Sequence, residues 1–350
     1  MSSQVPGDPA TARVPAPISP AATTPVGRLA PFAAVGRWRA LLRTREAALV
    51  LLILVVTSAL ALAEPRFLNT SNLLSIGTGM VYELPVAAGM TLVLILGGID
   101  LSVGAILGLT GVVTAMALRS GMAVPLAVLV GFATAGSAGA LNGLLVARFG
   151  IAPFLVTLGT MSIARGGATV LTSGYFLSGL PASYIAIGRG QLLGIPYPIL
   201  VVVGLLLVCD VLLKRWKPLH DAFYAGHNPA AAYLSGINVS RLVFGGYVAS
   251  ALFAGLAAVF MTSRLAMGYA RFGDMAELRA IAAAVLGGAS FSGGTGSILG
   301  STLGVLLLAL ILNGFVLLRL SVYWQGVVSG LMLIVAVAVD AWRRRRNEAR

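Results

Sequence analysis

The stretch that decides the fold is LVLILGGIDLSVGAILGLTG, residues 92–111, where one acidic residue interrupts a glycine-rich apolar run. Asp100 follows a pair of glycines and precedes Ser102 by two positions. A charged side chain inside a membrane is costly, so its presence there requires either a function or local satisfaction of its charge. The cost of burying Asp100 therefore depends on whether this run lies in lipid or in a water-soluble domain.

The composition places the run in a lipid bilayer. Of 350 residues, 58% are hydrophobic and 10% are charged, and the mean hydropathy is +0.95. A soluble domain carries about 25% charged residues, so the chain is predicted to be an integral membrane protein. The net charge of +13 arises from basic residues at segment ends and tails. Lipid headgroups and membrane topology account for them, and no basic patch interleaved with aromatic residues indicates nucleic-acid binding.

The apolar segments predict an all-α membrane protein with about ten transmembrane helices. A membrane-spanning helix needs about 20 mostly apolar residues and tolerates glycine and proline among them. The predicted spans are residues 47–63, 73–96, 101–118, 122–146, 152–174, 197–213, 242–262, 280–296, 298–318 and 322–341.

The segments outside these spans predict the domain organisation and orientation. Residues 1–45 form a predicted disordered tail, residues 46–342 a transmembrane domain, and residues 343–350 a basic tail. No short apolar stretch near the start resembles a secretory signal. Basic residues at positions 37–45, in the loop 214–241 and after the last span share one face, which the positive-inside rule makes cytoplasmic, with both termini. The loop near 175–196 is then external, with room for a short helix.

Small residues recur at close intervals, as in GFATAGSAGALNGLL from Gly131, which favours tight packing of helices in lipid. A weak internal echo also relates LGGIDLSVGAILG at 96–108 to LGGASFSGGTGSILG at 286–300. It indicates either the internal repeat of a transporter with discontinuous helices or merely similar membrane compositions.

No catalytic or metal-binding pattern is present in the sequence. His220 and His227 lack metal-ligand spacing, there is no nucleophile elbow, and Cys209 in an apolar segment is interpreted as a small core residue. No G-x-x-x-x-G-K-[ST] phosphate loop occurs, so any ATP would be hydrolysed by another chain. The prediction is a transport subunit with no catalytic residues, no metal and no cofactor of its own.

A few ionisable residues in the spans are candidates for a transport pathway. Glu83, two residues before Pro85, either faces a pathway or is protonated and bonds a backbone group freed at a kink. Arg165 either lines a polar cavity or extends to an interface. Asp210 and Asp340 lie near basic clusters and are interpreted as interfacial partners of Lys214 and Arg343.

The long polar loop at 214–241 contains a short predicted helix. In NPAAAYLSGI, Asn228 suits the N-cap, Pro229 the first helical position, and Gly236 the end. Such a helix either docks into the groove of a partner or packs on its own bundle.

Four motifs resemble one family. ILGGIDLSVGAILGLTG, LNGLLVARFGIAPFLVTLGTMSIARG, AAAYLSGINVSRL and AIAAAVLGGASFSGGTGSILG occur in order, and the resemblance covers about residues 48–340. Together they are similar to the permease subunits of ribose, xylose and galactose-type ABC importers. The resemblance implies a helical bundle like that of type II ABC importers, which imports a sugar across the bacterial inner membrane.

The resemblance also implies partners and site residues. The expected partners are a cytoplasmic ABC ATPase, a periplasmic or lipid-anchored sugar-binding protein, a second permease copy and membrane lipids. Contacts with the ATPase are expected at Asn228, Ala231, Ala232, Leu234, Ser235 and Gly236. Hinge or pathway positions are expected at Gly97, Gly98, Asp100, Ser102, Gly104, Gly287 and Gly288, besides Glu83 and Arg165. Asp100 is expected to cap a helix that starts at Leu101.

Two departures from the family pattern stand out. The family usually has an acidic residue just before the paired alanines of the docking segment, where this chain has Pro229 and Ala230. It also usually has ELDAIAA where this chain reads ELRAIAA, so Arg279 replaces an aspartate. The alternatives from other classes are an ion-coupled secondary transporter that uses Glu83 and a membrane scaffold. The glycine-rich, interrupted spans disfavour a scaffold.

Overall fold

The computed structural model describes residues 45–321 and 323–348. The predicted tail at 1–45 lies outside this range except for Arg45, and its disorder stays a prediction. The helices are α1 (Arg45–Ala63), α2 (Thr70–Ile95), α3 (Val103–Arg119), α4 (Val124–Ala147), α5 (Pro153–Thr172), α6 (Ala182–Arg189), α7 (Tyr197–Arg215), α8 (Lys217–His227), α9 (Pro229–Leu234), α10 (Val239–Leu265), α11 (Ala276–Leu286), α12 (Ile298–Leu317) and α13 (Trp324–Glu348). A 3-10 turn (Pro65–Leu68) joins α1 to α2, and strands β1 (Gln191–Leu192) and β2 (Ile195–Pro196) form an antiparallel hairpin.

An all-α membrane protein is confirmed, and each of the ten predicted spans overlaps one helix. Within the described ranges, eight helices are long and apolar enough to cross a membrane. The other two are shorter, since α3 has 17 residues and α11 has 11. The span predicted at 280–296 was too long, because the glycine-rich segment after Leu286 turns through positive φ angles at Gly288, Gly293 and Gly294. The last helix extends to Glu348, into the predicted basic tail.

Two groups of helices are joined by α2. On one side α10 packs against α4, α3 and α6, and on the other α11 and α12 pack with α1 and α13. The helix α2 contacts α10, α11 and α12. It is the most enclosed of the eight spans, with 72% of its apolar window buried. The helix α2 therefore lies between the two groups and contacts both.

Small residues bring α4 and α10 together, as the sequence predicted. A methyl group added at Gly139 would lie 2.6 Å from Cβ of Ala251, and one at Gly143 would lie 2.9 Å from the carbonyl oxygen of Phe244. Close backbone approach replaces the hydrophobic effect as the source of packing energy inside lipid. The contact surface of α4 therefore tolerates no side chain at these two positions.

The short elements lie in the two long loops. The predicted helix in the loop 175–196 is confirmed as α6, and the hairpin follows it. The loop 214–241 holds the predicted helix α9 and also α8, which sequence analysis missed. The sequence of α8 has a proline at its second position, which is a readable start signal, but the residues that follow are mostly weak helix formers.

Alanine at Gly143 should destabilise the bundle, whereas alanine at Gly136 should not. Both changes replace a glycine in a helix interior by alanine, which by itself stabilises the helix by about 1 kcal/mol. At Gly143 the new methyl meets backbone atoms at 2.9–3.0 Å, while at Gly136 the nearest atom is a leucine methyl at 3.6 Å. Overpacking costs about 1–3 kcal/mol, so we expect a lower melting temperature in detergent for Gly143→Ala alone. Equal melting temperatures for the two variants would contradict the packing described.

Candidate functional site

The first candidate site is the break between α2 and α3. The N–H of Gly97 donates to the carbonyl of Leu94, and the N–H of Gly98 to that of Val93, both at 2.9 Å. This pair of bonds closes a helix end, and Gly97 adopts the positive φ of 79° that it requires. Gly98 is needed for space, since a methyl there would lie 2.5 Å from the hydroxyl of Tyr247.

Asp100 is fully buried in this break and its carboxylate is hydrogen-bonded through both oxygens. Oδ1 accepts from the N–H of Ser102 at 3.0 Å and from its hydroxyl at 2.5 Å. Oδ2 accepts from the hydroxyl of Ser250 at 3.0 Å. The predicted helix start at Leu101 was wrong: α3 begins at Val103, with Ser102 at the N-cap position. The aspartate instead bonds two residues ahead, as in an Asx-turn, which favours a turn over a first helical turn.

A chain of buried hydrogen bonds extends from Asp100 into α4 and α5. The hydroxyl of Thr160 donates to Oδ1 of Asn142 at 2.6 Å, and Nδ2 of Asn142 donates to the hydroxyl of Ser102 at 2.8 Å. The hydroxyl of Tyr247 donates to the carbonyl of Ile99 at 3.3 Å. We call the side chains of Asp100, Ser102, Asn142, Thr160 and Ser250 the Asp100 network. It ties the break to three helices and answers why an acid stands in an apolar run.

The second candidate site is the break between α11 and α12, residues 287–297. The N–H of Gly288 donates to the carbonyl of Val285 at 3.0 Å and that of Ala289 to Ala284 at 2.9 Å, which repeats the bonding at Gly97 and Gly98. Gly288, with a φ of 104°, matches Gly97. The structural repeat is therefore shifted by one residue from the sequence echo, which paired Gly97 with Gly287. Gly287 instead lies where any side chain would overlap the backbone of Gly300 and Ser301.

The two breaks touch each other and the loop 214–241. The carbonyl of Ile95 accepts from the N–H of Gly294 at 2.8 Å. Any side chain at Gly226, near the end of α8, would overlap that same carbonyl and come within 2.8 Å of the nitrogen of Gly294. We call Ile95, Gly226 and Gly294 the glycine junction. The end of α8 therefore contacts both breaks directly.

The predicted docking segment has the expected local geometry. Oδ1 of Asn228 accepts from the N–H of Ala231 at 3.0 Å, so the predicted N-cap is confirmed. The hydroxyl of Ser235 donates to the carbonyl of Ala231 at 2.9 Å, and Gly236 ends the helix with a φ of 83°. Ala232 is buried, whereas Leu234 is 86% exposed. A cleft of about 460 Å³ separates α8 from α9, lined by residues that include Lys217, Asp221, Tyr224, His227, Ala231 and Ile237.

The two predicted pathway residues Glu83 and Arg165 are paired, whereas Oε2 of Glu277, buried at the start of α11, has no hydrogen-bond partner among the described residues. Nε of Arg279 donates to Oε1 of Glu83 at 2.7 Å. Nη2 of Arg165 lies 3.0 Å from Oδ1 of Asp274, and its Nη1 donates to the carbonyls of Ala270 and Phe272. Neither Glu83 nor Arg165 was predicted to have these partners, because each pair joins residues that are far apart in sequence.

The remaining predicted positions have structural surroundings. Any side chain at Gly104 would overlap the carboxylate of Glu277 and the carbonyl of Gly273, so this glycine lets α3 pass close to α11. Lys214 pairs with Asp210 at 2.7 Å, as expected. Asp340 accepts from the hydroxyl of Ser290 at 3.2 Å, in the second break. Cys209 is partly rather than fully buried. Among the described residues, no cluster of three or more His, Cys, Asp or Glu could hold a metal ion.

The fold and these sites together define a class: a multi-pass helical membrane protein whose buried polar groups are concentrated at two broken helices. The comparisons with known proteins give the family. Residues 72–337 match the family described as "Branched-chain amino acid transport system / permease component", and the chain belongs to this family. It is therefore a transport permease component of the bacterial inner membrane.

The relatives are named as sugar permeases. The chain is 39% identical to the ribose import permease protein of Bacillus subtilis (strain 168), over 83% of this chain and 90% of that protein. It is 35% identical to the D-allose transport system permease protein of Escherichia coli (strain K12), over 83% and 89%. It is 32% identical to the L-arabinose ABC transporter permease protein of Azospirillum brasilense, over 93% and 96%. No solved structure matches the chain. The resemblance predicted from the four motifs is confirmed.

Replacing Asp100 with alanine should destabilise the protein without changing its solute preference. The variant leaves three buried donors, from Ser102 and Ser250, without their acceptor. Each buried unsatisfied group costs about 1–3 kcal/mol. We expect a large loss of folded protein in detergent, and unchanged solute preference in whatever assembles. The control is Ser137→Ala, which removes one exposed hydroxyl bonded within its own helix. A stable Asp100→Ala protein with altered preference would contradict this role.

Proposed function

We propose that the chain is the membrane permease subunit of an ATP-driven importer for a sugar or a related neutral polyhydroxylated solute. The observation that supports this most is the agreement among the named relatives. Their names specify ribose, D-allose and L-arabinose, and the similarity covers 89–96% of each relative. The family description names branched-chain amino acids instead. Because the relatives are more specific than the family, sugar is the first candidate and a branched-chain amino acid the second.

In this proposal the energy comes from a partner chain. A cytoplasmic ABC ATPase binds the permease and hydrolyses ATP, and a periplasmic or lipid-anchored binding protein delivers the solute. A second permease, either a further copy or a related chain, completes the pathway. Both termini and the loop 214–241 then lie on the cytoplasmic side, which the clustering of basic residues supports.

The docking site for the ATPase is assigned to α8 and α9. The exposed side chains of Tyr233 and Leu234 form an apolar tip on the loop 214–241. An apolar side chain that projects from an ordered helix is suited to a pocket on a partner. On its inner side the same loop reaches the glycine junction through Gly226. Force applied by the ATPase to α9 therefore has a short path through α8 to both broken helices.

An ion-coupled mechanism has less support. Glu83, the carboxylate that would bind the coupling ion, forms a salt bridge with Arg279 at 2.7 Å. To bind a coupling ion, Glu83 has to give up this contact with Arg279. The named relatives also include an ABC transporter permease.

Leu234→Asp should abolish solute-stimulated ATP hydrolysis while leaving the bundle folded. Leu234 is 86% exposed, so the change costs the isolated permease little, but it places a charge in the apolar contact. The measurement is ATP hydrolysis by the reconstituted importer with loaded binding protein. The control is Leu234→Met, a volume-conserving change that should retain activity. Unchanged hydrolysis in Leu234→Asp would refute the docking assignment.

Purification from native membranes in a gentle detergent, followed by mass spectrometry, tests the function as a whole. We expect an ABC ATPase and a solute-binding protein to accompany the permease. Calorimetry of that binding protein with sugars and with branched-chain amino acids then decides between the two solute classes. A permease that purifies alone and moves solute into liposomes under an ion gradient, without ATP, would overturn the proposal.

A further inference from the structure

Four charged side chains form a continuous series within the bundle, which we call the charge series: Glu83, Arg279, Asp274 and Arg165. Glu83 pairs with Arg279 at 2.7 Å, and Asp274 pairs with Arg165 at 3.0 Å. Nη1 of Arg279 lies 3.5 Å from the carbonyl oxygen of Asp274, which connects the two pairs. The series joins α2, the 266–275 loop, α11 and α5.

Two members of the charge series lie at the depth of the membrane. Glu83 is thirteen residues from the start of α2 and twelve from its end, about 20 Å and 18 Å at 1.5 Å per residue. Arg165 is about 18 Å from the start of α5 and about 10 Å from its end by the same measure. Since the hydrocarbon core is about 30 Å thick, neither residue lies at a helix end from which it could reach a headgroup directly.

The charge series is not sealed inside protein. The exposed fractions of its side chains are 22% for Glu83, 23% for Arg279, 24% for Arg165 and 38% for Asp274. Charged surface exposed to lipid at this depth is strongly unfavourable, so such residues face water-filled cavities. At Glu83 and Arg165 the open side of the charge series therefore faces water or a second subunit rather than lipid.

The helix α5 has two exposed sides of opposite character. Ser162 and Thr169 are exposed and lie within about 60° of Arg165 around the helix axis. Ile163 and Val170, each one residue further on, are 70% and 79% exposed and lie at about 140–160° from Arg165. From Ser162 to Val170, therefore, the side of α5 that bears Arg165 is polar and the opposite side apolar, as expected of a helix between water and lipid or a second subunit. Nearer the start of α5, the same side carries Phe154, which is 51% exposed.

We propose that the solute pathway runs along the polar side of α5, and that the charge series is the site where the passing solute is bound. Nothing else in the described bundle combines membrane depth, exposed charge and adjoining exposed hydroxyls. The two guanidinium and two carboxylate groups offer donors and acceptors side by side, as vicinal hydroxyls of a polyhydroxylated solute require. Arg271 pairs with Asp274 at 2.9 Å, and the buried Glu277 interacts with Arg165 and Arg279. With these two residues the neighbourhood holds three guanidinium and three carboxylate groups, whose formal charges cancel. The solute class rests on the function proposed above, whereas the location of the pathway does not.

Cysteine accessibility tests the location of the pathway. In a Cys209→Ala background, Ser162→Cys and Thr169→Cys are compared with Ile163→Cys and Val170→Cys, in the assembled importer in membrane vesicles. A charged, membrane-impermeant thiosulfonate reagent reacts with the thiolate, which forms readily only in water. We expect the polar-side cysteines to react at least about tenfold faster, as one unit of difference in thiol pKa would give. Equal or reversed rates would overturn the pathway, and ATP hydrolysis confirms that each variant is assembled.

The paired change Glu83→Gln with Arg279→Gln tests the solute site. It removes both charges together and leaves two amides that can still bond each other, so the bundle should assemble. With saturating loaded binding protein, we expect sugar uptake per ATP hydrolysed to fall about tenfold, the effect of one lost charge-assisted hydrogen bond. If the two residues only supported the fold, the paired change would lower sugar uptake and ATP hydrolysis together. Either that outcome or an unchanged uptake per ATP would overturn the solute site. If the cysteines react as expected but no sugar is taken up even by the unaltered importer, the proposed solute fails while the pathway stands.

Discussion

A broken helix inside a membrane needs partners for the backbone groups that the break releases, and the rest of this structure depends on that requirement. Lipid supplies no hydrogen bonds, so each unsatisfied group costs several kcal/mol. At the first break the requirement is met by Asp100, whose carboxylate accepts from backbone and side chains of two elements. At the second it is met by Ser297, whose hydroxyl accepts from the N–H of Gly300 at 3.1 Å, and by the closure at Gly288. The acid in the apolar run is thus a structural necessity.

The two breaks meet each other and the loop 214–241 at the glycine junction. Backbone-to-backbone contact at the glycine junction has no flexible side chain that could absorb a displacement. Close-packed interiors transmit strain for this reason. A movement of α8 therefore has to shift Ile95 and Gly294 together or separate from them. The Asp100 network joins the first break to α4, α5 and α10.

Several features that depend on residues close together in the sequence were predicted correctly. The caps of α9, the positions of the ten helices and the small-residue packing of α4 followed from residue type and spacing. The Glu83–Arg279 pair could not, because its members are 196 positions apart, and neither could the bond from Asn142 to Ser102. An asparagine in an apolar helix was nevertheless a signal that could have been used. The one-residue shift between the repeats was equally hidden, since it depends on which glycine adopts positive φ.

The pairing of Glu83 with Arg279 bears on the ion-coupled alternative. A carboxylate bonded to a guanidinium at 2.7 Å has to give up that contact before it can bind a proton or a sodium ion. In the function proposed above, the work comes from a partner chain. The loop that bears an exposed apolar tip at α9 and contacts both breaks at Gly226 is the candidate docking site for that chain. The replacement of an aspartate by Arg279 is consistent with the Glu83–Arg279 pair, because it supplies the partner that Glu83 requires.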